Sequence, residues 1–248
     1  MTQFSVLITG ASGGIGSAFC KEFSDAGWNV IGTDHPEFVG GSHTQIDLPI
    51  DLNELALSDV LRKKFKDDVQ QKCIDKPLKV LINNAAIQHL APTDNLSLDV
   101  FHESFIVNTM APFALIQSFL SDLESVNGCV LNIGSVHNQS TKPEFVAYAT
   151  SKSAMHGMTR ALAVDLGGRI RINTLAPSAT ATPMLLAGFD DNKEAMKDLE
   201  RAHPINRIAT PVEIAKAGLF LCSDNASFIT GSTFYIDGGI LSRLHDPL

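Results

Sequence analysis

The feature that most restricts what this chain can fold into is its opening strand, glycine turn, helix and second strand. Residues 4–9 (FSVLIT) form a nearly continuous apolar run, as expected of a strand buried on both faces of a parallel sheet. The run ends at Gly10, and Gly10-Ala11-Ser12-Gly13-Gly14-Ile15-Gly16 comes next in the spacing G-x-x-x-G-x-G. Ala18, Phe19, Phe23 and Ala26 then recur at helical spacing until Gly27 closes the helix, and residues 28–33 (WNVIGT) read as a second strand with Asp34 at its carboxyl end. Glycines let a backbone approach a pyrophosphate, free N–H groups at a helix start attract its charge, and an acid after the second strand can accept hydrogen bonds from a ribose. Asp34 stands eighteen residues after Gly16, near the distance a dinucleotide-binding unit uses. A glycine-rich turn alone would be an ordinary loop; the ordered set predicts a nucleotide site.

Asp34 also bears on which dinucleotide is expected. A 2′-phosphate would lie against its carboxylate, and neither Asp34-His35-Pro36-Glu37 nor the glycine loop contains Arg or Lys. NAD(H) is therefore expected over NADP(H), a neutral His35 being a weak phosphate partner.

The remaining chain continues the alternation of strand and helix. Residues 45–48 read as a short third strand, whose Asp47 either meets an adenine amino group or caps a turn. Residues 55–73 form a charged amphipathic helix, and residues 78–82 (LKVLI) a fourth strand ending in Asn83-Asn84-Ala85-Ala86. A long helix over 98–123 carries Asn108 in its interior, where a poor helix former is either a solvent-facing accident or a group with a hydrogen-bonding task. The polar residues downstream favour the second reading. A fifth strand, 130–134, delivers Ser135, and thirteen residues later the helix over 145–166 begins with Tyr148 and Lys152 at i and i+4, on one face. A sixth strand, 169–175, leads into Ala176-Pro177-Ser178-Ala179-Thr180-Ala181-Thr182-Pro183. Residues 184–202, polar on one face and flanked by Pro183 and Pro204, suggest a movable cover; a substrate lid is expected over 184–206. A helix over 212–222 and a seventh strand over 232–236 complete the pattern before Asp237-Gly238-Gly239.

The expected architecture is α/β: one domain over residues 1–248, a doubly wound (Rossmann) parallel sheet of about seven strands with helices on both faces. A hydrophobic content of 44% and no linker-like stretch agree with one large core. The net charge of −8 disfavours nucleic acid and anionic membranes as partners. With no run of eighteen apolar residues and no leader pattern, a soluble, cytoplasmic protein is expected. Cys20, Cys73, Cys129 and Cys222 are scattered without C-x-x-C spacing and read as free, buried thiols; no metal site is expected.

Taken together, Thr9-Gly10-x-x-x-Gly14-x-Gly16, Asn83-Asn84-Ala85, Asn108, Ser135, Tyr148-x-x-x-Lys152, Pro177 and Asp237-Gly238-Gly239 closely resemble the short-chain dehydrogenase/reductase family over essentially the whole chain. The resemblance implies interconversion of a secondary alcohol and a ketone. Tyr148 would be the general acid/base, Ser135 would orient the substrate oxygen, Lys152 would hold the nicotinamide ribose and lower the tyrosine pKa, and Asn108 would anchor a water in a proton relay through Lys152. It further implies cofactor contacts at Gly10, Ser12, Gly14, Ile15, Gly16, Asp34, Asp47, Leu48, Asn84, Ala85, Tyr148, Lys152, Pro177, Thr180 and Thr182, with Thr180 and Thr182 on the nicotinamide carboxamide, and a homotetramer using the helices of Asn108 and Tyr148. Ala86 and Ser178 stand where the family commonly has glycine, so a stiffer lid hinge is expected.

The chemistry sets a requirement on Tyr148. To accept a proton near neutral pH its phenol must fall by roughly three units, or about 4 kcal/mol. An ammonium about 4 Å away at an effective dielectric near 20 supplies about that much. Substrate contacts are expected at Ser135, His137, Tyr148 and Ser178, with His89, Val136, Gln139 and Glu144 near the pocket. Their polarity suggests a polyol, sugar or hydroxy acid, while His137 and Gln139 are equally compatible with a surface loop. An NAD(H)-binding sensor or scaffold on the same fold and a 3-oxoacyl-thioester reductase are the alternatives.

Overall fold

The computed structural model describes residues 4–38, 48–189 and 192–244. Strand β1 (Ser5–Thr9) is buried along its whole length, helix α1 (Gly14–Asp25) follows the glycine turn, and β2 (Asn29–Thr33) returns parallel to β1. Helices α2 (Leu52–Leu57) and α3 (Asp59–Lys72) precede β3 (Leu78–Asn83). The single helix expected here is broken at Ser58, which leaves helical geometry and caps α3 by accepting from the Leu61 N–H at 3.2 Å.

Helix α4 (Leu98–Phe105) runs through a π turn (Ile106–Met110) into α5 (Ala111–Glu124). Over Leu98–Glu124 it is long and apolar enough to cross a bilayer, but 61% of its most apolar stretch is buried inside the protein, as in a core helix. Then come β4 (Cys129–Ile133), α6 (Val146–Leu166) and β5 (Arg171–Pro177). The expected cover is two helices, α7 (Pro183–Ala187) and α8 (Lys193–Ala202), and α9 (Pro211–Cys222) leads to β6 (Thr233–Ile236).

The sheet has the order β2-β1-β3-β4-β5-β6, and every pair is parallel. Six strands among the described residues replace the expected seven. Of the third strand read at 45–48, residues 45–47, and Asp47 with them, lie outside the described residues. Leu48 is not in a strand; its N–H donates to Gly32 at 3.3 Å and its carbonyl accepts from the Thr33 hydroxyl at 2.5 Å, so it lies along the side of β2 away from β1.

Strand periodicity divides the core in two. Leu7, Leu81 and Val130 face Phe65 of α3 and Phe119 of α5, while Val6, Ile8, Ile82 and Leu131 face Phe19 and Phe23 of α1 and Ile214 of α9. The chain leaves β1 for β2 on one side and resumes at β3 on the other. That reversal opens a crevice above the carboxyl ends of β1 and β3, and both the glycine loop and Asn83-Asn84 arrive there.

Candidate active site

The glycine loop is shaped by close backbone approach. Gly10 has φ +65°, and a Cβ on Gly16 would sit 1.9 Å from the Gly10 carbonyl oxygen. Asn84 braces this turn: its side-chain amide donates to the Thr9 and Gly10 carbonyls at 2.9 and 3.1 Å, and the Thr9 hydroxyl accepts from the Asn84 and Ala85 N–H groups, each at 3.0 Å. The Asn84 amide thus holds the loop that would hold a cofactor. Helix α1 starts without a side-chain cap and without an acid in its first turn, so its positive end faces the loop uncompensated. Here the residues fit a pyrophosphate: a cradle of glycines at an uncapped helix start.

Asp34 lies at the carboxyl end of β2. One carboxylate oxygen accepts from the Ser12 N–H at 2.8 Å and from the Ser12 hydroxyl, and the other accepts from the His35 N–H at 2.8 Å. Glu37 and Asp51 add acid nearby, 3.8 and 3.7 Å from the nitrogens of the His35 ring. On the opposite side of the loop, a Cβ on Gly14 would fall 2.8 Å from the Thr182 methyl, so the segment after β5 rests on the glycine loop. Thr182 caps α7 through Leu185 N–H at 3.2 Å, and the Thr180 hydroxyl donates to the Ser178 carbonyl at 3.1 Å. Pro177 closes β5 opposite Ile236.

The carboxyl end of β4 delivers Ser135, which is buried. Its hydroxyl oxygen accepts from the His137 N–H at 3.2 Å, and the hydroxyl acts on the neighbouring Tyr148 phenol, whose pKa it lowers. Lys152, fully buried one turn after Tyr148, donates to the Ile133 carbonyl at 2.7 Å and lies 5.7 Å from the centre of the tyrosine ring. Burial brings its ammonium down to about 8. Among protein groups, burial raises the Tyr148 phenol above its ordinary value and the Ser135 hydroxyl opposes this. With its own value brought down to about 8, the lysine has lost its charge before a phenol above 10 begins to titrate.

Asn108 is fully buried in the π turn. Its Oδ1 accepts from the Ile87 N–H at 2.9 Å, and its Nδ2 donates to the Ile87 carbonyl at 2.9 Å and to Ser151 Oγ at 3.0 Å; that hydroxyl donates to the Tyr148 carbonyl at 2.8 Å. The side chain therefore ties the loop after β3 to the first turns of α6. A sequence signal for this turn, missed by helical periodicity, lies four residues on at Pro112, which lacks the N–H that an α-helix would direct to the Asn108 carbonyl.

His137 stacks flat on Phe145, with ring centres 4.5 Å apart and planes at 2°, and meets Tyr148 edge-on at 5.6 Å. Its Nδ1 pairs with the Thr141 hydroxyl at 2.8 Å, and burial, then Lys142, push its pKa down to about 4. The ring is thus beside the phenol, not out on a loop. Ser178, expected to meet substrate, pairs through its hydroxyl with His203 Nε2 at 3.0 Å, while His203 Nδ1 meets the Leu199 carbonyl at 2.8 Å. A polar group so placed is a strut between the segment after β5 and the end of α8. His89 Nε2 lies 3.2 Å from the Glu103 carboxylate. A cavity of about 380 Å³ opens beside this loop, lined by Gln139, Ser140, Tyr235, Asp237, Leu241 and Ser242. Another, of about 230 Å³ near Val69, Cys73 and Leu78, lies at the amino end of β3, away from these groups. Among the described residues no three His, Cys, Asp or Glu side chains gather as a metal site.

A six-stranded parallel sheet with a glycine cradle at its switch point, and a serine, tyrosine and lysine at the end of the fourth strand, defines a dinucleotide-binding oxidoreductase. The chain belongs to the short-chain dehydrogenase/reductase family: residues 10–241 match the family model described as enoyl-(acyl carrier protein) reductase. It is 34% identical to protein FixR of Bradyrhizobium diazoefficiens, over 94% of this chain and 85% of that one. To 3beta-hydroxysteroid dehydrogenase 1 of Eggerthella lenta it is 31% identical, over 95% and 93%. The ligand-free aldohexose dehydrogenase of Thermoplasma acidophilum superposes with a TM-score of 0.90 at 26% identity, over 100% of this chain and 97% of that one. A 4-hydroxyisoleucine dehydrogenase complexed with NADH superposes at 0.84 with 30% identity, over 97% and 100%.

Proposed function

We propose that the protein is an NAD(H)-dependent oxidoreductase that interconverts a secondary alcohol and a ketone, with Tyr148 as the general acid/base. The observation that carries this reading is the meeting of Ser135, Tyr148 and Lys152 at the carboxyl end of β4, beside the glycine cradle. Bound in the cradle, the nicotinamide supplies the hydride acceptor or donor and a positive charge in its oxidised form. The protein handles the proton. The substrate oxygen lies between the Ser135 hydroxyl and Tyr148 Oη; in oxidation Oη, as the phenolate favoured by the positive charge of the oxidised nicotinamide, accepts the hydroxyl proton, and in reduction the phenol donates its own proton. With the Ser135 oxygen already accepting from the His137 N–H, its proton is free to point at Oη or at the substrate. Lys152 uses one donor on Ile133, leaving two for the ribose of the cofactor. Asn108, through its main-chain carbonyl, would hold the water that feeds Lys152.

NAD(H) is favoured over NADP(H) by the carboxylate of Asp34 at the ribose position and by Glu37 beyond it, with no cation in the glycine loop. A small polar substrate is favoured by His137 against the phenol and by the polar lining of the adjoining cavity. Helices α7 and α8 would form the lid over it, and the exposed apolar side chains of α4 to α6 would join four copies in a cytoplasmic homotetramer.

The test is turnover of a panel comprising hexoses, gluconate, 3-hydroxybutyrate and a 3-hydroxysteroid with either cofactor. NAD(H) and the polar members should be preferred. Tyr148→Phe should lose turnover while binding NADH nearly as well as the wild type. Substantial turnover by this variant would overturn the assignment of the phenol.

A further inference from the structure

Helix α6 presents Tyr148, Lys152, His156 and Thr159 along one stripe, at spacings of four, four and three residues. The last three grip the end of β4. Thr159 Oγ1 accepts from the Asn132 side chain at 2.9 Å and is bonded to the Thr174 hydroxyl at 2.9 Å; Lys152 donates to the Ile133 carbonyl at 2.7 Å; and His156 Nε2 accepts from the Ser135 N–H at 3.5 Å. Gly134 lies between these anchor points, and the imidazole fills the place a side chain would take: a Cβ there would be 2.2 Å from Nε2. The ring is 2% exposed, stacks on Tyr235 with centres 6.3 Å apart, and turns Nδ1 to the Thr233 hydroxyl at 3.2 Å.

The contact with the Ser135 N–H calls for one tautomer. Nε2 can accept only if the ring proton is on Nδ1, where it donates to Thr233 Oγ1. Burial, and then the charges of Lys152 and Arg160, keep the ring neutral by lowering its pKa to about 4. His156 does not exchange a proton in the reaction described above, yet it is bonded to the residue that orients the substrate oxygen.

We propose that His156 is a positioning residue for the reaction, holding the backbone of Ser135 so that its hydroxyl is aimed at the substrate oxygen and Tyr148. The hydroxyl is then set from two sides: His156 fixes the Ser135 N–H, and the His137 N–H occupies one lone pair of Oγ. This rests on the role given to Ser135. A misplacement on the order of 1 Å at such a donor slows chemistry by about 100-fold without weakening cofactor binding.

The test compares the wild type with His156→Phe and His156→Gln, using the panel compound the wild type turns over fastest. NADH affinity is followed by fluorescence, and Ser135 amide exchange and the His156 ring nitrogens by NMR. The phenylalanine keeps the ring shape and removes the acceptor; kcat should fall by about 100-fold with KM and NADH affinity little changed. The glutamine restores an acceptor and should recover most of that loss. Ser135 amide exchange should be fast in the phenylalanine variant and slow in the other two, and the wild-type ring should carry its proton on Nδ1. A folded phenylalanine variant with unchanged kcat, a glutamine variant as slow as the phenylalanine one, or a proton on Nε2 would each overturn the proposal. Should the phenylalanine variant fail to fold, the ring tautomer and the glutamine kinetics still decide. Failure of the enzymatic reading shows separately, as a wild type without turnover or a Tyr148→Phe that keeps it; the exchange and tautomer measurements are independent of both.

Discussion

At the scale of the residue, Lys152 bears the sharpest conflict between stability and use. A charged ammonium buried beneath the active site is a liability for folding, and its hydrogen bond to Ile133 does not offset the lost hydration. The depression of its pKa from 10.5 to about 8 is worth roughly 3 kcal/mol. Because the folded value lies below the unfolded one, the penalty is complete below pH 8; stability rises from there to pH 10.5 as the native state sheds a proton that the unfolded chain keeps. Lys152→Met should therefore lose turnover yet unfold at higher urea than the wild type at pH 7. The net gain should be about 1–2 kcal/mol once the Ile133 carbonyl left without its donor is counted. Urea melts of both proteins at pH 7 and pH 10 would check this, the gap narrowing at the higher pH. A variant less stable than wild type at pH 7 would mean that the ammonium is better solvated than its burial implies.

At the scale of the element, the α4–α5 helix shows how a single residue reroutes a backbone. Asn108 would be a weak point in a regular helix, but the π turn and Pro112 change what its carbonyl can do. Replacing Pro112 with alanine restores an N–H at the position from which an α-helix would take that carbonyl. Pro112→Ala should leave the melting temperature at or above that of the wild type, while kcat falls by about 10- to 100-fold as the relay through Lys152 loses its anchor. Steady-state kinetics beside a thermal melt would separate the two effects. The same helix marks the limit of what can be read from residues. Period and length make residues 98–123 a helix, and the continuous apolar runs make β1 and β3 buried parallel strands, because local pattern alone determines these. The π turn depends on a proline four residues from an asparagine, a signal present in the sequence but visible only when the hydrogen-bond ladder is counted. Ser178 and Asn84 are legible as polar groups at strand ends, yet their partners, His203 and the Thr9–Gly10 carbonyls, come from distant segments, and only tertiary structure shows that both side chains are committed to the protein. Tyr148 and Lys152 share a helix face as their spacing requires, whereas the tilt that sends the ammonium to Ile133 depends on where β4 ends.

At the scale of the whole molecule, the proposed homotetramer makes its own demands on the surface. Leu98, Met110, Phe113 and Val146 on α4 to α6 are all at least 38% exposed, on the helices that also hold Asn108 and Tyr148. The proposed homotetramer would cover these side chains. Each copy also brings a net charge of −8, so assembly must bury apolar area against long-range repulsion. Salt screens that repulsion within about 10 Å at ~0.1 M and strengthens apolar burial, so the proposed homotetramer should tighten as ionic strength rises. Phe113→Glu places a charge in the middle of this surface, at a side chain 44% exposed and outside the apolar core, so the fold itself should tolerate it. Light scattering after size exclusion should give four chains for the wild type and fewer for the variant, with circular dichroism unchanged. Because α4 to α6 carry Asn108 and the first turn of the helix bearing Tyr148, loss of the assembly should also loosen the Asn108–Ser151–Tyr148 chain of hydrogen bonds. Turnover per chain should then fall together with the mass, and recover when salt drives the variant back together; a variant of reduced mass and full activity would show that the site is complete within one chain.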